Sequence, residues 1–197
     1  DRAGNDSADF AKQTFYVDKT APSLTISGIS DLSANSGEVI PVISYSDTNY
    51  DDSNVSITLN GAERNEVTFD GTYTDQHNGK IFTFNNFPEK KEVDDIYTLT
   101  ANVTDKAGNT TSETIRFSVN RFGSTYAIPK TTETLNGSYV QNEQNVVMTE
   151  TNANELKNIK VLLFKNGKTI TLKEGSDYKI DVKGGNDKWY EYTYTVY

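Results

Sequence analysis

Cysteine is absent from the 197 residues, so no disulfide framework, thiolate metal site or cysteine nucleophile is available. That absence fits the cytosol, and equally a bacterial exported protein that does not rely on disulfides. Histidine, tryptophan and methionine occur once each. Basic residues are the minority, 19 Lys and Arg against 28 Asp and Glu, for a net charge of -9. That sign repels phosphate backbones and anionic lipid surfaces, which weighs against nucleic-acid and bilayer partners. No apolar run approaches the ~20 residues a spanning helix needs, so no membrane insertion is expected within this segment. Helical periodicity never lasts beyond about two turns. What remains is a β vocabulary: Thr, Val, Ile, Tyr and Phe fill short runs, and Asn and Gly punctuate them. The chain reads as all-β.

A hairpin pattern appears twice. Asp1-Arg2-Ala3-Gly4-Asn5 leads into an alternating run ending Phe15-Tyr16-Val17-Asp18, and Asp105-Lys106-Ala107-Gly108-Asn109 leads into Ile115 to Asn120. Recurrence after roughly 100 residues implies a tandem array, because that period suits one β-sandwich per repeat. Other anchors agree. Val42 to Asn49 (VISYSDTN) lines up with Asn145 to Asn152 (NVVMTETN). Val55-Ser56-Ile57 ahead of Asn60-Gly61 lines up with Val161-Leu162-Leu163 ahead of Asn166-Gly167. The reading divides the chain into the closing strand of a preceding, absent domain (1–19), a complete sandwich (20–121) and a second sandwich truncated at its C-terminus (122–197). The second domain's own Asp-x-Ala-Gly-Asn hairpin is expected beyond residue 197. Val119 to Tyr126 holds no Gly/Ser-rich or Pro-rich spacer, which predicts limited bending between the domains.

Within the first domain, Thr20-Ala21-Pro22 interrupts pairing and Leu24-Thr25-Ile26 is a short strand. Glu38 to Tyr45 is apolar in both phases, as in a strand buried on two sides or bulged at Pro41. Val55 to Leu59 alternates into Asn60-Gly61, which predicts a tight hairpin there. Val67-Thr68-Phe69 and Ile81 to Phe84 continue the sheet. Tyr97, Leu99, Ala101 and Val103 share one face of the next strand. In the Asp105 to Asn109 turn, Gly108 is expected at positive φ and the Asp105 side chain is expected to accept turn amides.

These residues resemble the bacterial immunoglobulin-like domains repeated in large surface and cell-wall-associated proteins, particularly of Gram-positive anaerobes. The resemblance is carried by Asp18-Lys19-Thr20-Ala21-Pro22, by Ser56 to Gly61, and by Tyr97-Thr98-Leu99-Thr100 leading to Asp105 to Asn109. It covers residues 1–121, and Asn120 to Ser124 with Leu172 to Tyr178 looks like a more divergent member. It implies tandem immunoglobulin-like β-sandwiches at the bacterial cell surface, acting as spacers or stalks, as adhesive or carbohydrate-binding modules, or as accessory domains of a surface enzyme. Partners would be neighbouring repeats in the same chain and a host or cell-wall glycan or protein. Tyr97, opening the penultimate strand, stands where such folds carry a tyrosine whose hydroxyl bonds nearby backbone.

Chemistry has little to work with, and no enzyme and no cofactor are expected. His77 lies in a polar turn, Asp75 to Gly79, without a neighbouring nucleophile. The carboxylate pairs Asp51-Asp52 and Asp94-Asp95 read as loop residues, and adjacency in sequence does not set two carboxylates across a cleft. Asp47, Asn49, Asp51 and Asp52 offer oxygen ligands at one loop, but without the glycine and terminal Glu of a calcium loop, so no metal site is assigned. On the last strand Tyr190, Tyr192, Tyr194 and Val196 share a face that reads as core. Trp189 falls on the opposite, outer face and is the candidate ligand-binding residue.

Overall fold

Alternation in the first domain becomes two facing sheets. The structure, a computed structural model, describes residues 2–6, 11–64 and 68–197. Its first eight strands are β1 (Ser23–Ser27), β2 (Ala34–Asn35), β3 (Val42–Ser46), β4 (Val55–Gly61), β5 (Gly71–Gln76), β6 (Gly79–Phe84), β7 (Asp95–Thr104) and β8 (Thr110–Val119). One sheet runs β1-β3-β6-β5 and the other β2-β8-β7-β4. Every pairing is antiparallel except the two-residue contact of β2 with β8. This is the strand arrangement of an immunoglobulin-like sandwich, with the core between the sheets.

The core follows from period-two alternation. Tyr97, Leu99, Ala101 and Val103 are all buried on one face of β7, as the sequence predicts. Val39, Ile43, Tyr45, Phe87, Phe117 and Val119 close against them. Phe87 meets Tyr97 edge-on at 5.4 Å between ring centroids.

Several local expectations shift. Asn60-Gly61 makes no hairpin: β4 runs straight through it, with Asn60 opposite Thr98 and Gly61 opposite Tyr97. Cross-strand pairing with β7 outweighs the local turn preference there. The predicted strand at Val67 to Phe69 falls partly outside the described residues, while Thr68 and Phe69 join no ladder and β5 begins at Gly71. Pro41 ends the irregular approach to β3, which starts at Val42, and only the odd phase (Val39, Pro41, Ile43, Tyr45) is fully buried. Residues 11–22 join no strand, and Phe15, Tyr16 and Val17 are exposed. The hairpin expected at Asp1 and the alternating run that follows it lie partly outside the described residues.

The second domain contains β9 (Thr125–Ala127), the one-turn helix α1 (Lys130–Glu133), β10 (Val146–Asn152), β11 (Leu162–Lys165), β12 (Lys168–Thr171), β13 (Tyr178–Gly185) and β14 (Lys188–Val196). One sheet runs β13-β14-β10-β9, and among the described residues β11 pairs only with β12. The β11–β12 turn is the predicted Asn166-Gly167, with φ of 51° and 74°, which two-residue hairpins require. Tyr178, Tyr192 and Tyr194 form the buried centre, with Met148, Leu156, Ile159 and Ile180 around them. The expected core face of β14 is thus the observed one.

Candidate functional site: the joint between the domains

Acidic residues seldom open a core strand, yet Asp94 precedes β7 and Asp95 begins it, and they are 2% and 0% exposed. Each is satisfied by donors gathered at the joint. Asp94 accepts the backbone N–H of Arg121 at 3.0 Å and of Phe122 at 2.8 Å. Asp95 accepts the N–H of Glu63 at 3.0 Å, of Arg64 at 2.7 Å and of Ile96 at 2.8 Å. It also accepts the indole Nε1–H of Trp189 at 2.6 Å, from the second domain. A buried carboxylate is tolerable only with such a donor set, and hydrogen bonds to a charged acceptor are the stronger kind.

The connecting residues are held from both sides. The Arg121 guanidinium donates to the carbonyls of Gly37, Phe87 and Pro88 at 2.8–2.9 Å. Asn120 Nδ2 donates to Asn152 Oδ1 at 2.7 Å and Asn154 Oδ1 at 3.0 Å. Asn154 Nδ2 reaches back to Ser118 Oγ at 2.7 Å, and Arg116 pairs with Asp187. Trp189 is half-buried, with the Arg64 guanidinium 5.6 Å from its ring centroid. The sequence reading puts Trp189 on an outer face; the structure brings it to the joint, with its indole donor engaged.

The opposite pole of the first domain repeats part of this arrangement. Asn49, the counterpart of Asn152, donates through Nδ2 to Asp18 Oδ2 at 2.6 Å, and Asp18 precedes the domain as Asn120 precedes the next. Carboxylate oxygens of Asp18, Asp47 and Asp105 lie within 4.8 Å of one another. Asp105 is buried, and its Oδ1 accepts the turn amides of Ala107 and Asn109 at 2.8 and 2.9 Å, as predicted, with Gly108 at φ 92°. Burial pushes the Asp105 carboxyl up, but the Asn109 side chain and the Asn109, Ala107 and Gly108 amides hold it below the usual aspartate range. Hard oxygens so close are chemically suited to a divalent cation. They are not the set the sequence suggests. Asp51 instead accepts Ser53 N–H at 3.0 Å, and Asp52 takes Lys80 and the Tyr50 hydroxyl. Only Asp47 belongs to both groups, and it also accepts the Asn49 N–H at 2.6 Å.

In the second domain, Glu150 occupies the place of Asp47. It is 8% exposed and accepts the hydroxyls of Tyr126 at 2.9 Å and Tyr194 at 2.6 Å. Burial raises its carboxyl, and hydrogen bonds from Ser124, Tyr194 and Tyr126 outweigh burial and hold it below the ordinary range. His77 sits exposed in the β5–β6 turn, away from these groups.

Sequence reasoning missed Asp94, Asp95, Asn120, Arg121 and Asp18. A signal was present for the first two, since an acidic pair directly before an alternating apolar strand calls for donors.

No family model matches the chain, and no curated protein matches its sequence. Among solved structures, a GspB Siglec domain is similar at 17% identity and a TM-score of 0.36, over 58% of this chain and 63% of that one. A titin structure is similar at 10% identity and a TM-score of 0.38, over 89% of this chain and 83% of that one. The chain thus spans less than two thirds of the Siglec-domain structure. Both likenesses are loose, and the fold rests on the chain's own ladders.

Proposed function

We propose that the chain is a run of non-catalytic spacer modules of a bacterial surface protein, holding other parts of that protein away from the cell. The joint carries this reading. A flexible tether leaves its amides to water, whereas the Arg121 and Phe122 amides here serve buried Asp94, and Trp189 closes on Asp95. Hydrogen bonds to charged groups contribute about 1.5–3 kcal/mol each, so several acting together favour one relative orientation. Fixed orientation is what a module needs to keep a distal part at a set distance.

Because the chain has no native cysteine, spin labels can be attached at Ser56→Cys and Thr169→Cys, both exposed in the parent, without background. A narrow distance distribution between them is expected, broadening when a Gly/Ser linker is inserted after Asn120. A broad distribution in the uninterrupted chain would reject the stiff spacer.

One observation favours a second reading, an adhesive or glycan-binding module. The Trp189 ring borders an open cleft of about 390 Å³ lined by Glu63, Arg64, Thr125, Thr151 and Tyr190. In this case glycan retention is lost in Trp189→Ala and kept in Arg121→Ala, which loosens the joint but spares the ring. Absence of retention by the parent chain on a broad glycan array counts against it.

A further inference from the structure

The net charge of -9 is unevenly placed. Residues 122–197 hold nine lysines against nine carboxylates, so the acidic excess belongs to residues 1–121. Within the second domain the lysines gather. Between Glu155 and Glu174 the chain carries Lys157, Lys160, Lys165, Lys168 and Lys173 and no acidic residue. All of them are exposed, and among the described residues none makes an ion pair. The β11–β12 hairpin sets four of them in opposed pairs. Lys165 faces Lys168 across the ladder beside the turn. The Leu172 N–H bonds the Val161 carbonyl at 2.9 Å, which brings Lys160 and Lys173 opposite each other one step further on. Like charges directly opposite repel, so an anion held between them relieves a cost the hairpin otherwise bears.

Between the two lysine pairs the hairpin turns apolar side chains to water. Val161 and Leu172 pack on the core of the second domain. Alternation then sends Leu162 and Phe164 to the outer face, where they are 57% and 73% exposed. Their counterparts on β4 are Ser56 and Thr58, which are polar and also exposed, although β4 belongs to a four-stranded sheet. This outer face is therefore open to water in the first sandwich too, whatever lies beside β11. The second copy alone sets an aromatic ring there.

We propose that the outer face of the β11–β12 hairpin binds a linear acidic polysaccharide that bears carboxylates. The apolar faces of its sugar rings stack on Phe164 and Leu162. Its carboxylates reach the lysine pairs, which stand about 16 Å apart along the strand. Two features favour a thin chain over a broad anionic surface. The apolar patch is two side chains wide, too little to enter a bilayer interface. A broad surface also meets the acidic first domain, which repels it, whereas a single polymer chain touches only the basic strip. None of these residues lines the cleft beside Trp189, so the site is separate from that one and independent of the spacer role.

The test measures binding of the full chain to polygalacturonate, with its methyl ester and neutral dextran as uncharged probes. Polygalacturonate should bind at low salt and weaken steeply as salt rises, and neither uncharged polymer should bind. Lys165→Gln with Lys168→Gln should lower the affinity at least about tenfold. Lys90→Gln with Lys91→Gln removes the same charge from exposed positions of the first domain and should leave it unchanged. Phe164→Thr, which copies Thr58, should lower it by a similar factor while the circular dichroism spectrum stays that of the parent. Absence of polygalacturonate binding at low salt overturns the proposal. So do equal losses from the two lysine pairs, or duplex DNA binding as tightly as polygalacturonate, since either leaves charge alone as the cause. Parent chain that sediments with phosphatidylglycerol vesicles better than it binds the polymer makes a membrane the partner instead. Dimers of the parent that vanish with Lys165→Gln and Lys168→Gln make the acidic first domain of a second copy the partner, and overturn it equally.

Discussion

The Tyr97 hydroxyl donates to the Val93 carbonyl at 2.7 Å, four residues upstream, and the ring is fully buried against Phe87 and Phe117. Burial, followed by the nearby Asp95 and Asp94, pushes its ionisation far above the usual tyrosine range, so the group remains a donor at any physiological pH. Tyr97→Phe keeps the packing and leaves the Val93 carbonyl short of one donor. Chemical denaturation should show a loss of about 1–3 kcal/mol in the first domain, with no change in the second. A loss no larger than that of an exposed substitution would mean the hydroxyl bond is replaced by water. Titration adds a second expectation at this scale. Asp105 and Glu150 are both held below their ordinary values of 3.8 and 4.5 in the folded state. The unfolded chain therefore binds more protons as acid is added. These groups contribute their stability in full above the ordinary carboxylate range, and lose it as pH falls through the depressed folded values. Melting temperature should be flat from neutral pH to about 5 and then drop, less steeply in Asp105→Asn.

Strands with one buried face were legible in the sequence, and those shaped by distant partners were not. Tyr97 to Val103 and Tyr190 to Val196 alternate, so period two alone orients them. The two-residue β2 shows no such pattern; it exists because Ala34 and Asn35 lie beside Ser118 and Val119 of β8, more than 80 residues away. Asn60-Gly61 and Asn166-Gly167 are the same dipeptide with different outcomes. At Gly61 the ladder to β7 continues, whereas β11 has no such partner and the chain turns at once into β12. The joint was only half legible, because the acidic pair before β7 signals a need for donors while the donors themselves, Arg121 and Phe122 for Asp94 and Glu63, Arg64 and Trp189 for Asp95, come mostly from distant parts of the chain. The hairpin comparison yields a prediction. Gly167 has φ of 74° with open space where a Cβ would go, so Gly167→Ala meets backbone strain and no clash. It should destabilise the second domain by about 1 kcal/mol. Gly61 carries no positive φ, and a Cβ there runs into the Asp95 carboxylate, so Gly61→Ala should disturb the first domain and the joint together. Equal effects of the two changes on the second domain alone would sink this distinction.

Across the whole molecule, one body would require the sandwich of residues 23–119 and the sheets of residues 125–196 to move together. Arg121 anchors the connection on the side of the first domain. Its guanidinium grips three carbonyls of the first domain, Gly37, Phe87 and Pro88, while its own amide serves Asp94. The next residues, Phe122 and Gly123, then lead into β9 within a short step. Arg121→Ala removes the side-chain contacts and keeps the amide, so the first domain should lose about 1.5–3 kcal/mol through hydrogen bonds to a charged donor. Its Tyr and Phe core lies between the sheets and should keep its near-ultraviolet circular dichroism. The joint should loosen in the same variant, seen as a broader Ser56–Thr169 label distance and faster exchange of the Phe122 amide. Trp189→Phe attacks the joint from the other domain, removing the indole donor to Asp95 while keeping a ring near Arg64. If the joint acts as one cooperative network, the double variant should cost less than the sum of the single changes, because the second removes contacts the first has already weakened. Strict additivity in the label distances and in denaturation would show instead that Arg121 braces the first domain alone, independently of the bond from Trp189.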